Sequence, residues 1–165
     1  MGLLEPHGRG RRPFRRDALN GPAPAVFVVH SLTQAIAALE AAAAAGCDIT
    51  LLSAPDAGIY AGPGWFNAVV DAARAAVPAA SFSAILDCGD DAGAAQGAFR
   101  AGLETVIFTG RADVAQRLAG IAAAKGARIL TAWPSDALDL GRWFFADVET
   151  LRRHCAERLA SHRPI

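Results

Sequence analysis

The chain has 165 residues, a hydrophobic fraction of 53% and a formal net charge of zero. This length suffices for one domain with a substantial core and excludes two ordinary domains. No apolar run approaches the about 20 residues that span a bilayer, or the roughly 7–15 residues of a signal-peptide core, so we predict a cytoplasmic protein with no membrane partner.

The charges are distributed unevenly along the chain. Residues 1–22 contain five arginines, Glu5 and Asp17, a net charge of +3, whereas the remainder carries 11 basic and 14 acidic residues, a net charge of −3. We predict that residues 1–24 form a disordered basic tail and that residues 25–161 form a single domain. The acidic body excludes a nucleic-acid partner, except one that binds through the tail.

The three cysteines, Cys47, Cys88 and Cys155, are isolated from one another in the sequence. No CxxC spacing is present, so the sequence predicts neither a disulfide framework nor a cysteine-based zinc site. Free thiols are typical of a reducing compartment, which agrees with a cytoplasmic location.

An apolar strand, Ala25 to Val29, opens the predicted domain and is followed by His30. Ser31 and Gln34 have the spacing of a capping box, which predicts a helix that ends at Gly46. Strands and helices then alternate along the rest of the chain. The further predicted elements are a strand from Ile49 to Leu52, a long connection from Ala54 to Gly64, a helix from Trp65 to Val77, a strand from Phe82 to Leu86, a helix from Asp91 to Ala101, a strand from Thr105 to Phe108, a helix from Ala112 to Gly126, a strand from Arg128 to Ala132 and a final helix from Gly141 to Ser161.

Continuously apolar strands that alternate with helices are typical of a parallel sheet covered on both faces. We therefore predict an α/β domain of about five parallel strands, arranged as an open, three-layer, flavodoxin-like sheet of order 2-1-3-4-5. The alternative is a partial (βα) barrel completed by self-association, because a full eight-stranded barrel needs about 250 residues.

The final predicted helix carries an apolar stripe that either packs on the body or forms a homo-oligomer interface. Packing is the favoured interpretation, because such stripes usually belong to the core. The residues of the stripe are Phe144, Val148, Leu151, Cys155 and Leu159.

The carboxyl edge of the sheet is the predicted site. In open parallel sheets, ligands bind beyond the carboxyl ends of the strands, where the strand order reverses. For the order 2-1-3-4-5 this point lies between the first and third strands and brings His30 close to Asp87. A carboxylate can orient a histidine that transfers protons, so we predict an acid/base pair.

Asp87, Asp90 and Asp91 also cluster after the third strand. Clustered carboxylates bind hard divalent cations, so a divalent metal is a candidate cofactor, and the sequence identifies no cofactor beyond it. The structural alternative is that Asp90 and Asp91 cap the third helix, and no ligand spacing such as HExxH is present.

Cys88 is a further candidate, as a nucleophile with His30 as its base. A thiol near a helix N-terminus can have a lowered pKa, but the neighbouring aspartates raise it. The alternative is that Cys88 is a small, buried packing residue.

A ligand-binding role is predicted for polar residues that follow other strands. Thr109, Gly110 and Arg111 precede a helix N-terminus, where an anion can bind, and Ser31 can join them. No GxGxxG follows the first strand, so no dinucleotide cofactor is expected. Ser53 ends the second strand, and Tyr60 lies in the glycine-rich connection from Ala54 to Gly64, which we interpret as a lid or as a static loop.

The phrases ILDCG, VIFTG and RILTAWP resemble the receiver domains of response regulators, in which an aspartate ends the third strand and Thr or Ser the fourth. Asp87 and Thr109 match these positions. Val29-His30 stands in place of the acidic pair that holds magnesium, and Trp133 in place of a lysine. The resemblance therefore implies at most a degenerate, non-phosphorylated module.

The phrase AFRAGLETVIFTG is similar to the repeating units of (βα) barrel lyases and aldolases. No lysine follows a strand, since Lys125 lies in the last turn of a helix, so no Schiff base is expected. The sequence favours a site for a small molecule or a divalent metal, lyase-like or hydrolase-like at most. The alternative is a non-catalytic interaction module or a degenerate receiver-like module.

Overall fold

A computed structural model describes residues 23–162 of the chain. Residues 1–22, and with them nearly all of the predicted basic tail, lie outside the described residues. Within this range six strands form one sheet: β1 (Ala25–Val29), β2 (Ile49–Ser53), β3 (Phe82–Asp87), β4 (Thr105–Ile107), β5 (Arg128–Leu130) and β6 (Leu138–Asp139). The α-helices are α1 (Leu32–Ala45), α2 (Ala57–Tyr60), α3 (Pro63–Ala76), α4 (Ala92–Arg100), α5 (Ala112–Ala124) and α6 (Val148–His162), and a 3-10 helix spans Leu140–Trp143.

The strand order is β5-β4-β3-β2-β1-β6, and every pair is parallel. The single α/β domain and the open parallel sheet are thereby confirmed. The predicted order 2-1-3-4-5 is wrong, because β2 lies between β1 and β3. Strands β1 to β5 follow one another as in a partial (βα) barrel, but the sheet does not close, and its completion by self-association stays a prediction.

The helices form one layer. Helix α6 contacts α1, α1 contacts α3, α3 contacts α4 and α4 contacts α5. Connections between parallel strands are right-handed. When each new strand is added on the same side of the previous one, as in β1 to β5, every connecting helix lies on the same face of the sheet. The predicted three-layer arrangement is wrong for this reason. The main core lies between this helix layer and one face of the sheet, where Phe27, Leu51 and Val106 are fully buried.

The opposite face of the sheet carries a second, smaller core. Its members are Val26, Val28, Leu52, Ile85 and Ile107. Among the described residues, Leu130, Trp133 and Ala137 pack against them. The segment that joins β5 to β6 therefore covers this face where a three-layer fold would place helices.

Local signals placed both ends of α1 correctly. Ser31 is the N-cap of α1, and its Oγ accepts the Gln34 amide at 3.3 Å. The Gln34 Oε1 accepts a hydrogen bond from the backbone amide of His30, at 2.7 Å. In a capping box it would accept from the amide of the N-cap residue, Ser31. Gly46 ends the helix with a φ of 64°, a left-handed conformation that glycine adopts without strain.

Three features of the connections differ from expectation. The connection after β2 contains α2, and the segment after Pro134 contains β6, which pairs with β1. The final helix begins at Val148 rather than at Gly141. Of the predicted stripe, Leu151, Cys155 and Leu159 are buried in the core, whereas Phe144 and Val148 are 49% and 37% exposed.

An ion pair fastens α6 to α1. The Arg152 Nε donates to Glu40 Oε2 at 2.5 Å, and this hydrogen bond lowers the pKa of Glu40 below its ordinary value of 4.5. A carboxylate with a lowered folded pKa stabilises the fold above its unfolded pKa, and the contribution is lost as the pH falls through the folded pKa.

We expect Glu40→Gln to lower the free energy of unfolding at pH 7 by about 0.5 kcal/mol, a small loss because both side chains are partly exposed. Urea denaturation measures it. The difference from wild type should disappear as the pH falls below 4.5 and through the folded pKa of Glu40. Glu104→Gln, at an exposed residue before β4, is the matched control. It should leave the free energy of unfolding unchanged at both neutral and acidic pH. An equal loss at acidic and neutral pH would contradict the assignment.

Candidate functional site at the carboxyl edge of the sheet

Asp87 ends β3 and is only 3% exposed. Its Oδ1 accepts a hydrogen bond from the Gly89 backbone amide at 2.8 Å. Its Oδ2 accepts two hydrogen bonds, from the Asp56 backbone amide at 3.2 Å and from the Trp133 Nε1–H at 2.9 Å. The amide of Asp87 itself donates to Ser53 Oγ at 2.9 Å. Asp87 therefore joins β3 to β2 through its backbone amide, and to the segments that hold Asp56 and Trp133 through its carboxylate, both of whose oxygens accept hydrogen bonds from protein N–H groups.

Trp133 is the partner of Asp87 that sequence reasoning missed. The sequence places it one residue after the predicted fifth strand, where receiver domains have a lysine. Its indole packs on the second core while its Nε1–H reaches Asp87. The indole N–H of a partly buried tryptophan usually finds an acceptor, but the sequence does not indicate which one.

His30 and Asp87 are not brought together as neighbours. Strands in a sheet lie about 4.8 Å apart, so the intervening β2 separates the ends of β1 and β3 by about 10 Å. The His30 Nε2 instead lies 2.7 Å from Asp139 Oδ1, at the end of β6. The predicted pairing of His30 with Asp87 is wrong because it depended on the strand order.

The His30–Asp139 pair is held in place by the backbone around it. Asp139 Oδ1 also accepts the Gly141 amide at 2.8 Å, and Gln34 Nε2 donates to the Leu140 carbonyl at 2.9 Å. A Cβ at Gly141 would lie 2.7 Å from His30 Nε2, so only glycine fits there without a shift. The His30 side chain is 26% exposed and that of Asp139 51%, so solvent reaches the pair.

Cys88 is completely buried. Burial, together with the negative charges of Asp87 and Asp91, raises its pKa to about 12. A Cβ at Gly58, in α2, would lie 2.8 Å from Cys88 Sγ, which shows how closely α2 covers this thiol. A neutral, covered thiol is a poor nucleophile, so the geometry supports the packing interpretation.

The carboxylates that follow β3 are not arranged as a metal site. Asp91 is the N-cap of α4, and its Oδ1 accepts the Ala94 amide at 2.8 Å. Asp87 is engaged by its three N–H donors, and Asp90 is exposed. Within residues 23–162, no group of three or more His, Cys, Asp or Glu side chains is placed to hold a metal ion. The predicted metal site therefore has no support from the geometry.

Two of the predicted anion-binding residues, Thr109 and Arg111, make contacts with other residues. Arg111 donates to both carboxylate oxygens of Asp113, at 3.0 and 3.1 Å, and this pairing balances its charge. The amide of Thr109 donates to the Gly89 carbonyl at 2.7 Å. A groove of about 450 Å³ lies beside Gly110, but its lining is mainly apolar, so it does not suit an anion.

The connection after β2 is closely packed near Asp87. The Ser53 hydroxyl is fully buried and donates to the Ala54 carbonyl at 3.0 Å, which leaves it a structural role. Asp56 has a φ of 56°, unusual for a residue other than glycine. Tyr60 is 81% exposed. The movement of this segment as a lid stays a prediction.

Comparison with known proteins adds a resemblance in fold. A solved structure of a putative fructose-1,6-biphosphate aldolase from Coccidioides immitis matches with a TM-score of 0.55 at 19% sequence identity. The match covers 66% of this chain and 45% of that protein, so the chain spans less than half of the aldolase's length. No family model and no curated protein match. The similarity concerns the α/β fold alone and says nothing about the reaction.

No helix within residues 23–162 has the length and apolar character needed to cross a membrane.

We expect Asp87→Asn to lower the free energy of unfolding by about 1–3 kcal/mol, because an amide presents a single acceptor oxygen to three N–H donors and leaves at least one of them unpaired. Thermal and urea denaturation measure the loss. Asp90→Asn, at an exposed residue three positions along, is the matched control and should be close to neutral. Wild-type stability for Asp87→Asn would contradict the structural role.

The three thiols should differ in reactivity. Cys47 is half-buried, while Cys88 and Cys155 are fully buried and burial raises both of their pKa values to about 12. Iodoacetamide at pH 8 should therefore modify Cys47 first, and the other two only after unfolding. Peptide mass spectrometry measures the order. Early modification of Cys88 in the folded protein would contradict the packing interpretation and support a role as nucleophile.

Proposed function

We propose that the carboxyl edge binds a small molecule and that His30 transfers a proton there, in a lyase-like or hydrolase-like reaction. The observation that carries this proposal is the 2.7 Å contact between His30 Nε2 and Asp139 Oδ1 at the edge of the sheet where ligands of parallel α/β proteins bind. A carboxylate that accepts from one imidazole nitrogen fixes the tautomer and leaves the other nitrogen for chemistry.

The chemical roles follow from the side chains at this end of the sheet. His30 is the base, and its Nδ1 has no hydrogen-bond partner among the described residues. Asp139 is a positioning residue, and Gln34 holds the Leu140 carbonyl so that the backbone after Asp139 keeps its place. Asp87, although central in the sequence, is assigned a structural role, because its oxygens are occupied.

A second candidate function is a non-catalytic interaction module. The observation that favours it concerns the eight large apolar residues that are exposed within residues 23–162. Seven of them lie where helices leave the carboxyl edge. These residues are Leu32, Ile59, Tyr60, Trp65, Phe144, Phe145 and Val148. Phe145 is 97% exposed, and exposed apolar groups concentrated on one side of a protein are typical of a binding surface. The degenerate receiver-like module is not retained, because receiver domains have the order 2-1-3-4-5.

A thermal-shift screen of sugar phosphates and carboxylic acids tests the first proposal. Any compound that binds the native state raises the apparent melting temperature, by an amount that depends on its concentration. We expect a compound that stabilises the wild type to lose its effect on His30→Asn, while His162→Asn, at the opposite end of the sheet, retains it. An equal shift in His30→Asn would overturn the role of His30. A screen without any stabilising compound would favour the interaction module.

The tautomer of His30 provides a second test. With Asp139 as acceptor, the proton of neutral His30 should reside on Nε2. Two-bond 1H–15N spectra detect this, and loss of the signals in His30→Asn assigns them. We expect Asp139→Ala to increase the Nδ1-protonated population. An Nδ1-protonated imidazole in the wild type would contradict the proposed base.

A further inference from the structure

The Gln34 side chain joins the two segments that carry the His30–Asp139 pair, and it is only 1% exposed. Its Oε1 accepts a hydrogen bond from the backbone amide of His30 at 2.7 Å, and its Nε2 donates to the backbone carbonyl of Leu140 at 2.9 Å. Breaking either bond would leave a backbone group without its partner, which is costly where the group is buried. One side chain therefore fixes the backbone of His30 relative to the residue that follows Asp139.

Strand β6 supplies few other directional restraints on Asp139. The strand spans two residues and pairs with β1 alone, because it lies at the edge of the sheet formed by the described residues. Leu140, directly after the strand, is fully buried, but apolar burial is a non-directional force. The hydrogen bonds of β6 with β1 and of Gln34 with Leu140 therefore orient the backbone at Asp139.

Gly141 determines how closely the two members of the pair can approach. Its amide donates to Asp139 Oδ1 at 2.8 Å. A Cβ at this position would lie 2.7 Å from His30 Nε2 and 3.0 Å from Asp139 Oδ1, so it would occupy the space beside the contact itself. Gly141 is not among the described residues with a positive φ. Its lack of a side chain is therefore needed for close approach and not for a turn.

We infer that Gln34 and Gly141 are positioning residues that together set the distance between His30 Nε2 and Asp139 Oδ1, an inference that rests on the proposed role of His30 as a base. Gln34 holds the two backbone segments at a fixed separation, and Gly141 leaves the space in which the side chains meet. A misplacement of about 1 Å can slow a reaction about 100-fold, so both residues act on the base without contacting a substrate.

Two-bond 1H–15N spectra of His30 test the inference. Gln34→Met has a similar size but neither the amide donor nor the acceptor, and it should raise the Nδ1-protonated population of neutral His30, as Asp139→Ala does. Gly141→Ala should raise it less, because the added methyl group requires a smaller displacement. Gly120→Ala in α5 is the matched control, since no atom lies within 4 Å of its added Cβ, and it should leave the spectrum unchanged.

Thr50→Val separates positioning from a general loss of stability. Thr50 is 7% exposed, and its Oγ1 lies 2.9 Å from Ser83 Oγ, so the variant also loses a buried polar contact. Thr50 pairs with Val26, four residues before His30 and about 13 Å away along the strand. We expect this variant to have a lower melting temperature and a wild-type His30 spectrum.

Circular dichroism checks that each variant is folded, and Gly141→Ala alone decides the test if Gln34→Met does not fold. A folded Gly141→Ala with a wild-type His30 spectrum would overturn the inference. A change in Thr50→Val as large as that in Gln34→Met would also overturn it, because the spectrum would then follow stability and not position.

The thermal-shift screen distinguishes a failure of this inference from a failure of the proposed function. Expected spectra in the Gln34 and Gly141 variants, together with a compound that stabilises His30→Asn as much as the wild type, would support the positioning and contradict the base. A compound that requires His30, together with unchanged spectra in both variants, would support the base and overturn the positioning.

Discussion

The handedness of parallel crossovers determines the layout of this molecule. Because β1 to β5 follow one another in the sheet and right-handed crossovers return on the same side, every helix that connects these strands lies on one face, where α6 packs beside them. The other face is left to the segment between β5 and β6, which brings Trp133 over the second core. The hydrogen bond from Trp133 to Asp87 is a consequence of that coverage.

The same layout distributes the chemistry along the carboxyl edge. Asp87 lies where the covering segment, β2 and the start of α2 converge. Its carboxylate accepts hydrogen bonds from the Trp133 and Asp56 N–H groups, and its own backbone amide donates to Ser53 in β2. His30 lies two strands away, beside β6, and its carboxylate partner is Asp139. A buried carboxylate whose oxygens both accept hydrogen bonds from the protein stabilises the fold. A partly exposed histidine that is hydrogen-bonded to a carboxylate is suited to proton transfer.

Local features were predictable because their causes lie within a few residues. The caps at Ser31 and Asp91 follow from side chains that bond amides three positions away, and Gly46 ends α1 because it adopts a left-handed conformation. Strand β6 was not predictable, because two residues carry no periodicity. The late start of α6 was missed since the apolar residues before it, which suggested a longer stripe, are exposed on the surface.

The sequence by itself determined the alternation of strands and helices, the parallel direction of the sheet and the polar character of its carboxyl edge, because these depend on apolar runs, caps and turn residues. Only the tertiary structure decided the strand order, and with it which polar groups meet. Asp87 with Trp133 and His30 with Asp139 are pairs separated by 46 and 109 residues. Contacts over such distances depend on the order in which strands pair, and continuous apolar strands are compatible with more than one order.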